Sequence, residues 1–211
     1  MVFRNRVDAG KRLASRLKEF ADRDDAVVLA LPRGGVPVGF EIARALHAPL
    51  DILVVRKLGV PGQEELAMGA IGSGGVRILD SETVRMFHLS PEQVDEVIAR
   101  ELKELERREH LYRADRKATN VTNRMVILVD DGLATGATMR VAIAVLRQQN
   151  VKQIVLAVPV AGASTCKLVG AEADRTVCLF TPKDFYAVGQ WYEDFSQTTD
   201  EEVRSLLTRP T

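Results

Sequence analysis

The sequence predicts an α/β fold in which a central, mainly parallel sheet is flanked by helices. Five short runs are apolar at almost every position, as expected of strands that are buried on both faces. Segments with helical periodicity separate most of these runs, and strands that alternate with helices are typical of parallel sheets. The strand-like runs are Ala26–Leu31, Leu50–Val55, Met125–Val129, Ile154–Val160 and Thr176–Phe180.

Length and composition predict one globular domain over 1–211, with a core over about 1–180. The chain has 211 residues, of which 46% are apolar and 27% charged, as in ordinary soluble domains. Its 29 basic and 29 acidic residues cancel, so no overall field attracts it to nucleic acid or to an anionic membrane. Any anionic ligand must therefore be held by a local site.

The sequence lacks the features typical of secreted and membrane proteins. Its apolar runs are too short to span a bilayer, and the charged segment Met1–Asp8 has no signal-peptide core. Its two cysteines, Cys166 and Cys178, match neither a disulfide framework nor a zinc spacing. We expect a cytoplasmic protein with no membrane partner.

Helices are predicted where apolar spacing coincides with residues that begin or end helices. An apolar stripe at helical spacing covers 7–20. Pro37 suits the first turn of a second helix, which is expected to run to about His47. A further helix is predicted over about 135–149, with Asn150 as a left-handed cap.

Two segments in the middle of the chain are predicted to be a mobile loop and a long charged helix. Leu58–Gly75 is rich in glycine and contains Pro61, which predicts a mobile loop with at most short strands. Ser90–Gln93 has the pattern of a capping box with proline at the first helical position. The helix expected over about 90–118 carries mixed charges, which favour a solvated or partner-facing surface.

The segment Val126–Thr138 consists of a strand-like run, two acids and a loop of small residues that leads into a helix. Ligands of open α/β sheets bind at the carboxyl ends of strands, where these residues fall. Backbone N–H groups of the loop, with the Thr135 and Thr138 hydroxyls, suit a phosphate. Asp130 and Asp131 can accept hydrogen bonds from the vicinal hydroxyls of a sugar. The sequence therefore predicts a ribose 5-phosphate site.

Other ligand motifs fit the sequence poorly. Ala137 stands where a Walker A loop needs lysine, and no GxGxxG pattern follows a predicted strand. The histidines His47, His88 and His110 share no metal-ligand spacing and are expected to be structural or surface residues. The alternative to a ligand site is an ordinary Asp-Asp turn followed by a threonine-capped helix.

Val126–Thr138 resembles the signature with which type I phosphoribosyltransferases bind 5-phosphoribosyl 1-pyrophosphate (PRPP). Gly132 departs from that signature, because many members have an aliphatic residue there. Leu31–Pro37 is similar to the family's pyrophosphate loop, and Leu58–Gly75 stands where the family carries its flexible catalytic loop. The resemblance covers about 1–180 and implies the family's sheet with a small hood or C-terminal lobe.

The resemblance also implies a role for each residue of these motifs. The ligands implied for pyrophosphate are Arg33, Gly34, Gly35, Arg56 and Lys57. The residues implied for catalysis are Arg33 and the ribose ligands Asp130 and Asp131. The loop implied to bind PRPP beside these acids consists of Gly132, Leu133, Ala134, Thr135, Gly136, Ala137 and Thr138. Mg²⁺ is the implied cofactor, bridging substrate oxygens without a dedicated cage of protein ligands.

The acceptor of the phosphoribosyl group is not specified by the sequence. Residues 183–195 contain five of the chain's eleven aromatic residues. Phe185 and Trp191 are candidates for stacking on a planar base, with Lys183 or Asp184 at its edge. The alternative is that these aromatic residues pin the C-terminal segment to the core.

Together these features predict a Mg²⁺-dependent phosphoribosyltransferase of nucleotide metabolism, which transfers the phosphoribosyl group from PRPP to a nitrogenous base or similar acceptor. Two alternatives stay open: a non-catalytic regulator that senses PRPP or a nucleotide, and an enzyme with another acceptor, such as water. The expected partners are PRPP and a small-molecule acceptor, with no nucleic acid. The resemblance also implies a homodimer, although no apolar stripe specifies an interface.

Overall fold

The structure, a computed structural model, describes residues 2–114 and 116–211. Its helices and strands follow one another as the predicted fold class requires. In chain order they are α1 (Arg6–Ala14), β1 (Ala26–Ala30), α2 (Gly35–Leu46), β2 (Leu50–Ile52), β3 (Val55–Val60), β4 (Gln63–Gly72), β5 (Val76–Leu79), α3 (Ser81–Met86), α4 (Pro91–Arg113), β6 (Met125–Val129), α5 (Ala137–Gln148), β7 (Gln153–Val160), α6 (Ala163–Gly170), β8 (Arg175–Phe180) and α7 (Asp200–Thr208).

A five-stranded parallel sheet with strand order β2-β1-β6-β7-β8 forms the centre of the fold. Its side chains alternate between two faces. Val28 packs in a core cluster with α1, α2, α4 and α7, whereas Val27 and Leu29 pack in a second cluster with α5 and α6. Because helices cover both faces, every residue of β1 and β6 is buried. The predicted parallel sheet flanked by helices is confirmed.

Residues 58–75 belong mostly to a second, antiparallel sheet of β3, β4 and β5. The prediction of a loop with at most short strands is wrong there, because 58–60 and 63–72 lie in strands, and two of the glycines serve the close approach of neighbouring backbones. A Cβ atom on Gly69 would lie 2.3 Å from the carbonyl oxygen of Ile78. A Cβ atom on Gly59 would lie 2.6 Å from the carbonyl oxygen of Glu64, next to a break in the strand register.

The run Leu50–Val55, predicted as one strand, is divided between the two sheets. β2 ends at Ile52 in the parallel sheet, and β3 begins at Val55 in the antiparallel one. Arg56 and Lys57 therefore lie within β3 and do not end a central strand. This change of sheet places the Arg56 side chain against α4, where it contacts Glu101.

The first helix is shorter than its apolar stripe predicts. α1 ends at Ala14, and residues 18–20 form a separate 3₁₀ turn. Val7 is exposed, whereas Leu13 is fully buried against the parallel sheet. The Asn5 side chain accepts a hydrogen bond from the backbone N–H of Asp8, which fixes the first turn of α1.

The long charged helix α4 begins at the predicted capping box and ends at Arg113, before the expected limit of about 118. Ser90 Oγ accepts from the N–H of Gln93, and Gln93 Oε1 accepts from the N–H of Ser90. α4 packs against β3 and α7. In the described ranges, no helix combines the length and apolar character that crossing a membrane requires.

A buried ion pair fastens the C-terminal end of α4 to β2. Arg113 Nε donates to Asp51 Oδ1 at 2.9 Å, and Arg113 Nη2 donates to the carbonyl oxygen of Ile52 at 2.5 Å. The second carboxylate oxygen of Asp51 accepts from the N–H of Thr119 at 2.8 Å. Asp51 and Arg113 are both buried, and Arg113 also pairs with Glu109 of α4, so the Asp51 carboxylate depends on Arg113 for the compensation of its charge.

We expect Arg113→Met to lower the free energy of unfolding by about 3–5 kcal/mol, because it leaves the buried Asp51 carboxylate without its counter-ion. Urea denaturation measures this loss. Arg107→Met on the exposed side of the same helix is the control, with an expected change of less than about 1 kcal/mol. Equal losses in the two variants would contradict the anchoring role of the buried pair.

Candidate functional site

Two loops meet where the neighbouring parallel strands β1 and β6 end. Ala30 of β1 pairs with Val129 of β6, and the N–H of Leu31 donates to the carbonyl oxygen of Val129 at 2.9 Å. The first loop, 31–34, leads into α2, and the second, 130–136, leads into α5. The predicted pyrophosphate loop and the predicted PRPP signature therefore lie side by side at one edge of the sheet.

The first loop approaches the two acids so closely that its glycines are required. A Cβ atom on Gly34 would lie 2.0 Å from Asp131 Oδ2, and one on Gly35 would lie 2.8 Å from the carbonyl oxygen of Val129. The peptide between Pro32 and Arg33 is cis. The backbone of Gly34 thus forms part of the immediate surroundings of the Asp131 carboxylate.

Asp130 and Asp131 form a partly buried pair of neighbouring acids. The N–H of Asp131 donates to Asp130 Oδ1 at 2.8 Å. Burial raises the pKa of Asp130 well above its usual range, and the neighbouring charge of Asp131 raises it further. Burial also raises the pKa of Asp131, while the guanidinium of Arg6 acts in the opposite direction. Arg6 thus opposes the effect of burial at Asp131, and the oxygens of the two acids are acceptors for the hydroxyls of a ligand.

The residues that hold Asp131 come from the two ends of the chain and were not predicted. Arg6 Nε donates to Asp131 Oδ2 at 2.8 Å, and the hydroxyl of Tyr192 donates to the Asp131 carbonyl oxygen at 2.6 Å. Phe3 is paired with Tyr192, which joins the N-terminal segment to the C-terminal one. The aromatic enrichment of 183–195 gave a signal for Tyr192, but no local pattern identifies Arg6.

The backbone of the second loop is held by a hydrogen bond from α6, and threonine side chains at the loop and at the start of α5 are exposed. Gly136 precedes α5 with a φ of 74°, a left-handed conformation that favours glycine. Thr165 Oγ1 of α6 donates to the carbonyl oxygen of Ala134 at 3.1 Å, which fastens the loop to α6. Thr135 and Thr138 are exposed beside the N-terminal turn of α5. This arrangement of hydroxyls and a helix N-terminus suits a phosphate.

A cavity of about 440 Å³ places the predicted pyrophosphate ligands of β3 near Pro32 of the first loop and near Thr138 in the first turn of α5. Its lining includes residues of the first loop, β3, α4 and α5, four of them basic and two acidic. The residues with polar side chains are Arg56, Lys57, Glu64, Arg100, Glu101, Arg108 and Thr138. The basic excess makes the cavity suitable for an anion larger than one phosphate.

Within this cavity Arg56 is held by an acid of α4. Its Nε and Nη2 atoms both donate to Glu101 Oε2, at 2.9 and 2.5 Å. Arg33 also faces an acid, because its Nη1 atom lies 3.7 Å from Asp200 Oδ1 of α7. The Arg56 guanidinium is partly exposed, so an anion in the cavity would compete with Glu101 for it.

The two aromatic residues predicted to bind a base are engaged in packing. Trp191 contacts Phe180 edge to face, with ring centroids 5.0 Å apart. Phe185 is partly buried, and its ring lies beside Gly162 at the start of α6. These contacts agree with the alternative in which the segment is pinned to the core, and base stacking by Phe185 and Trp191 stays a prediction.

The sequence model of the "Phosphoribosyl transferase domain" family matches residues 3–195, which include both loops, the acid pair, β3 and α4. The chain belongs to this family. Two Mycobacterium tuberculosis proteins, named "Putative phosphoribosyl transferase MT0597" and "Putative phosphoribosyl transferase Rv0571c", are each 49% identical to this phosphoribosyl transferase domain over 208 residues. The match covers 99% of this chain and 47% of theirs, so the chain spans about half the length of these relatives.

A solved structure supports the same fold. The crystal structure of TT1426 from Thermus thermophilus is 42% identical in sequence and superimposes with a TM-score of 0.88. The superposition covers 98% of each chain. The two chains therefore share one fold over nearly their whole length.

We expect Gly34→Ala to lower the free energy of unfolding of this phosphoribosyl transferase domain by about 1–3 kcal/mol, because the new Cβ atom would collide with the Asp131 carboxylate. Thermal and urea unfolding measure the change. The control is Gly162→Ala, whose Cβ atom would meet the Phe185 ring at an ordinary 3.4 Å. Unchanged stability in Gly34→Ala would show that the contact between loop and acid is not close.

Proposed function

We propose that this chain is a Mg²⁺-dependent phosphoribosyltransferase, which transfers the 5-phosphoribosyl group from PRPP to a nitrogenous base or similar acceptor and releases pyrophosphate. The observation that carries the proposal is the contact between Gly34 and the Asp131 carboxylate. This contact joins a loop suited to pyrophosphate to an acid pair suited to ribose hydroxyls. Membership of the phosphoribosyl transferase family supports the same reaction class.

In the proposed complex the second loop binds the phosphoribosyl part of PRPP. The 5-phosphate lies at the start of α5, where backbone N–H groups and the hydroxyls of Thr135 and Thr138 can donate to it. The ribose hydroxyls donate to the carboxylate oxygens of Asp130 and Asp131.

The pyrophosphate of PRPP is assigned to the first loop and to the neighbouring cavity. Arg33 and the amides of Gly34 and Gly35 contribute from the loop, and Arg56 and Lys57 contribute from β3. Because Arg56 is already paired with Glu101, pyrophosphate binding exchanges one anionic partner for another. The exchange lowers the net gain in binding free energy but keeps the guanidinium fixed in place.

The reaction breaks the bond between C1 of the ribose and the pyrophosphate oxygen, through a transition state with positive charge on the ribose ring. The negative charge of the acid pair stabilises this cation, and the basic groups around the cavity stabilise the leaving pyrophosphate. The acceptor nitrogen then bonds to C1 and gives up its proton to the released pyrophosphate or to water. Phe185 and Trp191 stay the candidates for contact with the acceptor.

Mg²⁺ is proposed to bind with its ligands drawn from the substrate oxygens and from water. In the part of the chain that the structure describes, no group of three or more His, Cys, Asp or Glu side chains could hold a metal ion. Mg²⁺ commonly binds in this way, since it keeps several waters and accepts phosphate oxygens readily. When bound, the ion neutralises charge on the leaving pyrophosphate.

The test of the proposed function is calorimetric titration of PRPP and Mg²⁺ into the wild type and into the Asp130→Asn/Asp131→Asn variant. We expect binding to the wild type and its loss in the variant, because two amide oxygens accept hydrogen bonds from the ribose hydroxyls more weakly than two acidic side chains do. The control is Asp95→Asn/Glu96→Gln, which alters a neighbouring pair of exposed acids on α4. No binding to the wild type would refute the proposal.

Release of pyrophosphate in the presence of a panel of nucleobases separates the enzyme from the alternatives. Release with one base identifies the acceptor, and Asp131→Ala is then expected to lower its rate on the order of 10²–10³-fold. Release without any base indicates water as the acceptor. Binding without release under any condition would favour a regulator that senses PRPP and contradict the transferase.

A further inference from the structure

Arg6 reaches the acid pair from the first turn of α1, and nothing in the PRPP signature accounts for it. Its Nε atom donates to Asp131 Oδ2 at 2.8 Å. The side chains of Arg6 and Asp131 are only 12% and 14% exposed. At such low exposure the ion pair is poorly screened by solvent, so each group influences the position and charge of the other.

The guanidinium of Arg6 is fixed on three sides. Besides its bond to Asp131, it donates from Nη1 to the carbonyl oxygen of Ser196 at 2.6 Å. Its Cζ atom lies 4.0 Å from the centroid of the Phe195 ring, within the range of a cation–π contact. The Asn5 side chain fixes the turn from which Arg6 extends. Arg6 therefore holds Asp131 from a rigid position and not as a mobile surface side chain.

The geometry of this pair leaves one carboxylate oxygen of Asp131 for another use. Arg6 binds Oδ2, which is also the oxygen that lies beside the Gly34 backbone. Oδ1 is outside the ion pair. The carbonyl oxygen of Asp131 is held separately by the Tyr192 hydroxyl. Both the backbone and the carboxylate of Asp131 are thus oriented by residues outside its own loop.

Electrostatics favour the same role. Burial raises the pKa of Asp131, and the Arg6 guanidinium counteracts that rise. Asp130 is a second acid beside Asp131. Among the hydrogen bonds of the described residues, the one from Arg6 gives these two acids a basic partner, and its loss would leave them without one. A cation at Oδ2 keeps Asp131 a stronger hydrogen-bond acceptor at Oδ1 than an unpaired buried carboxyl would be.

We propose that Arg6 is a positioning residue for PRPP, which acts by holding Asp131 in the orientation that a ribose hydroxyl requires at Oδ1. The proposal rests on the proposed function, because that function assigns Asp131 to the ribose. It adds that the N-terminal helix and the C-terminal aromatic segment are parts of the ribose site. Arg6 itself does not touch the reacting atoms.

The test is a double-mutant cycle on the dissociation constant for PRPP with Mg²⁺, measured by calorimetry. It compares the wild type, Arg6→Met, Asp131→Asn and the variant with both changes. We expect Arg6→Met to weaken binding about tenfold or more when Asp131 is present, as for the loss of a charge-assisted hydrogen bond. In the Asp131→Asn background we expect Arg6→Met to have almost no further effect, because Arg6 acts through that carboxylate.

Two further variants separate this role from general destabilisation. Arg6→Lys keeps a positive charge and is expected to recover part of the affinity that Arg6→Met loses, and it replaces Arg6→Met if that variant does not fold. The control is Arg4→Met, which removes a neighbouring arginine whose side chain is 73% exposed. Arg4→Met is expected to leave the dissociation constant unchanged.

The outcomes distinguish this inference from the proposed function. If wild type binds PRPP and Asp131→Asn weakens binding, the assignment of the ribose site stands whatever Arg6 does. The inference is then overturned if Arg6→Met leaves the affinity for PRPP unchanged. It is also overturned if Arg6→Met weakens binding equally in the wild-type and Asp131→Asn backgrounds. Failure of the wild type to bind PRPP would overturn the proposed function, and this inference with it.

Discussion

The candidate site depends on the parallel pairing of β1 with β6. The last paired residues are Ala30 and Val129. The N–H of Leu31 then donates to the carbonyl oxygen of Val129, so the loops that follow the two strands begin side by side. Only in this register does the backbone of Gly34 lie against the carboxylate of Asp131. A slip of one residue would turn the alternating side chains of β1 to the opposite face and separate the loops. The buried core thus determines the geometry of the polar site.

Charged groups around the site are paired before any ligand binds. Asp131 is held by Arg6, Arg56 by Glu101, and Arg33 lies near Asp200. Such pairs add little stability where they are exposed, but they limit the conformations of long side chains. Ligand binding would then exchange partners at fixed positions, with less ordering of side chains than free arginines would need.

Features that depend on residues close together in the sequence could be predicted from it. Features that depend on contacts between residues far apart in the sequence could not. The apolar runs identified the strands of the parallel sheet, and Ser90–Gln93 identified the start of α4, because burial and capping act within a few residues. The glycines of 58–75 suggest a loop, but Gly59 and Gly69 are required by the approach of another strand, which the local sequence does not reveal. Arg6 lies 125 residues from Asp131, and no spacing reveals such a contact.

A crystal structure of the protein with ribose 5-phosphate would test the central claim most directly, because that compound has the phosphate and the diol but cannot react. The account predicts the phosphate at the N-terminal turn of α5, with ribose hydroxyl oxygens about 2.6–3.2 Å from carboxylate oxygens of Asp130 and Asp131. Arg6 would still be bound to Oδ2 of Asp131. A ribose bound away from the acid pair, with its phosphate elsewhere, would contradict the account.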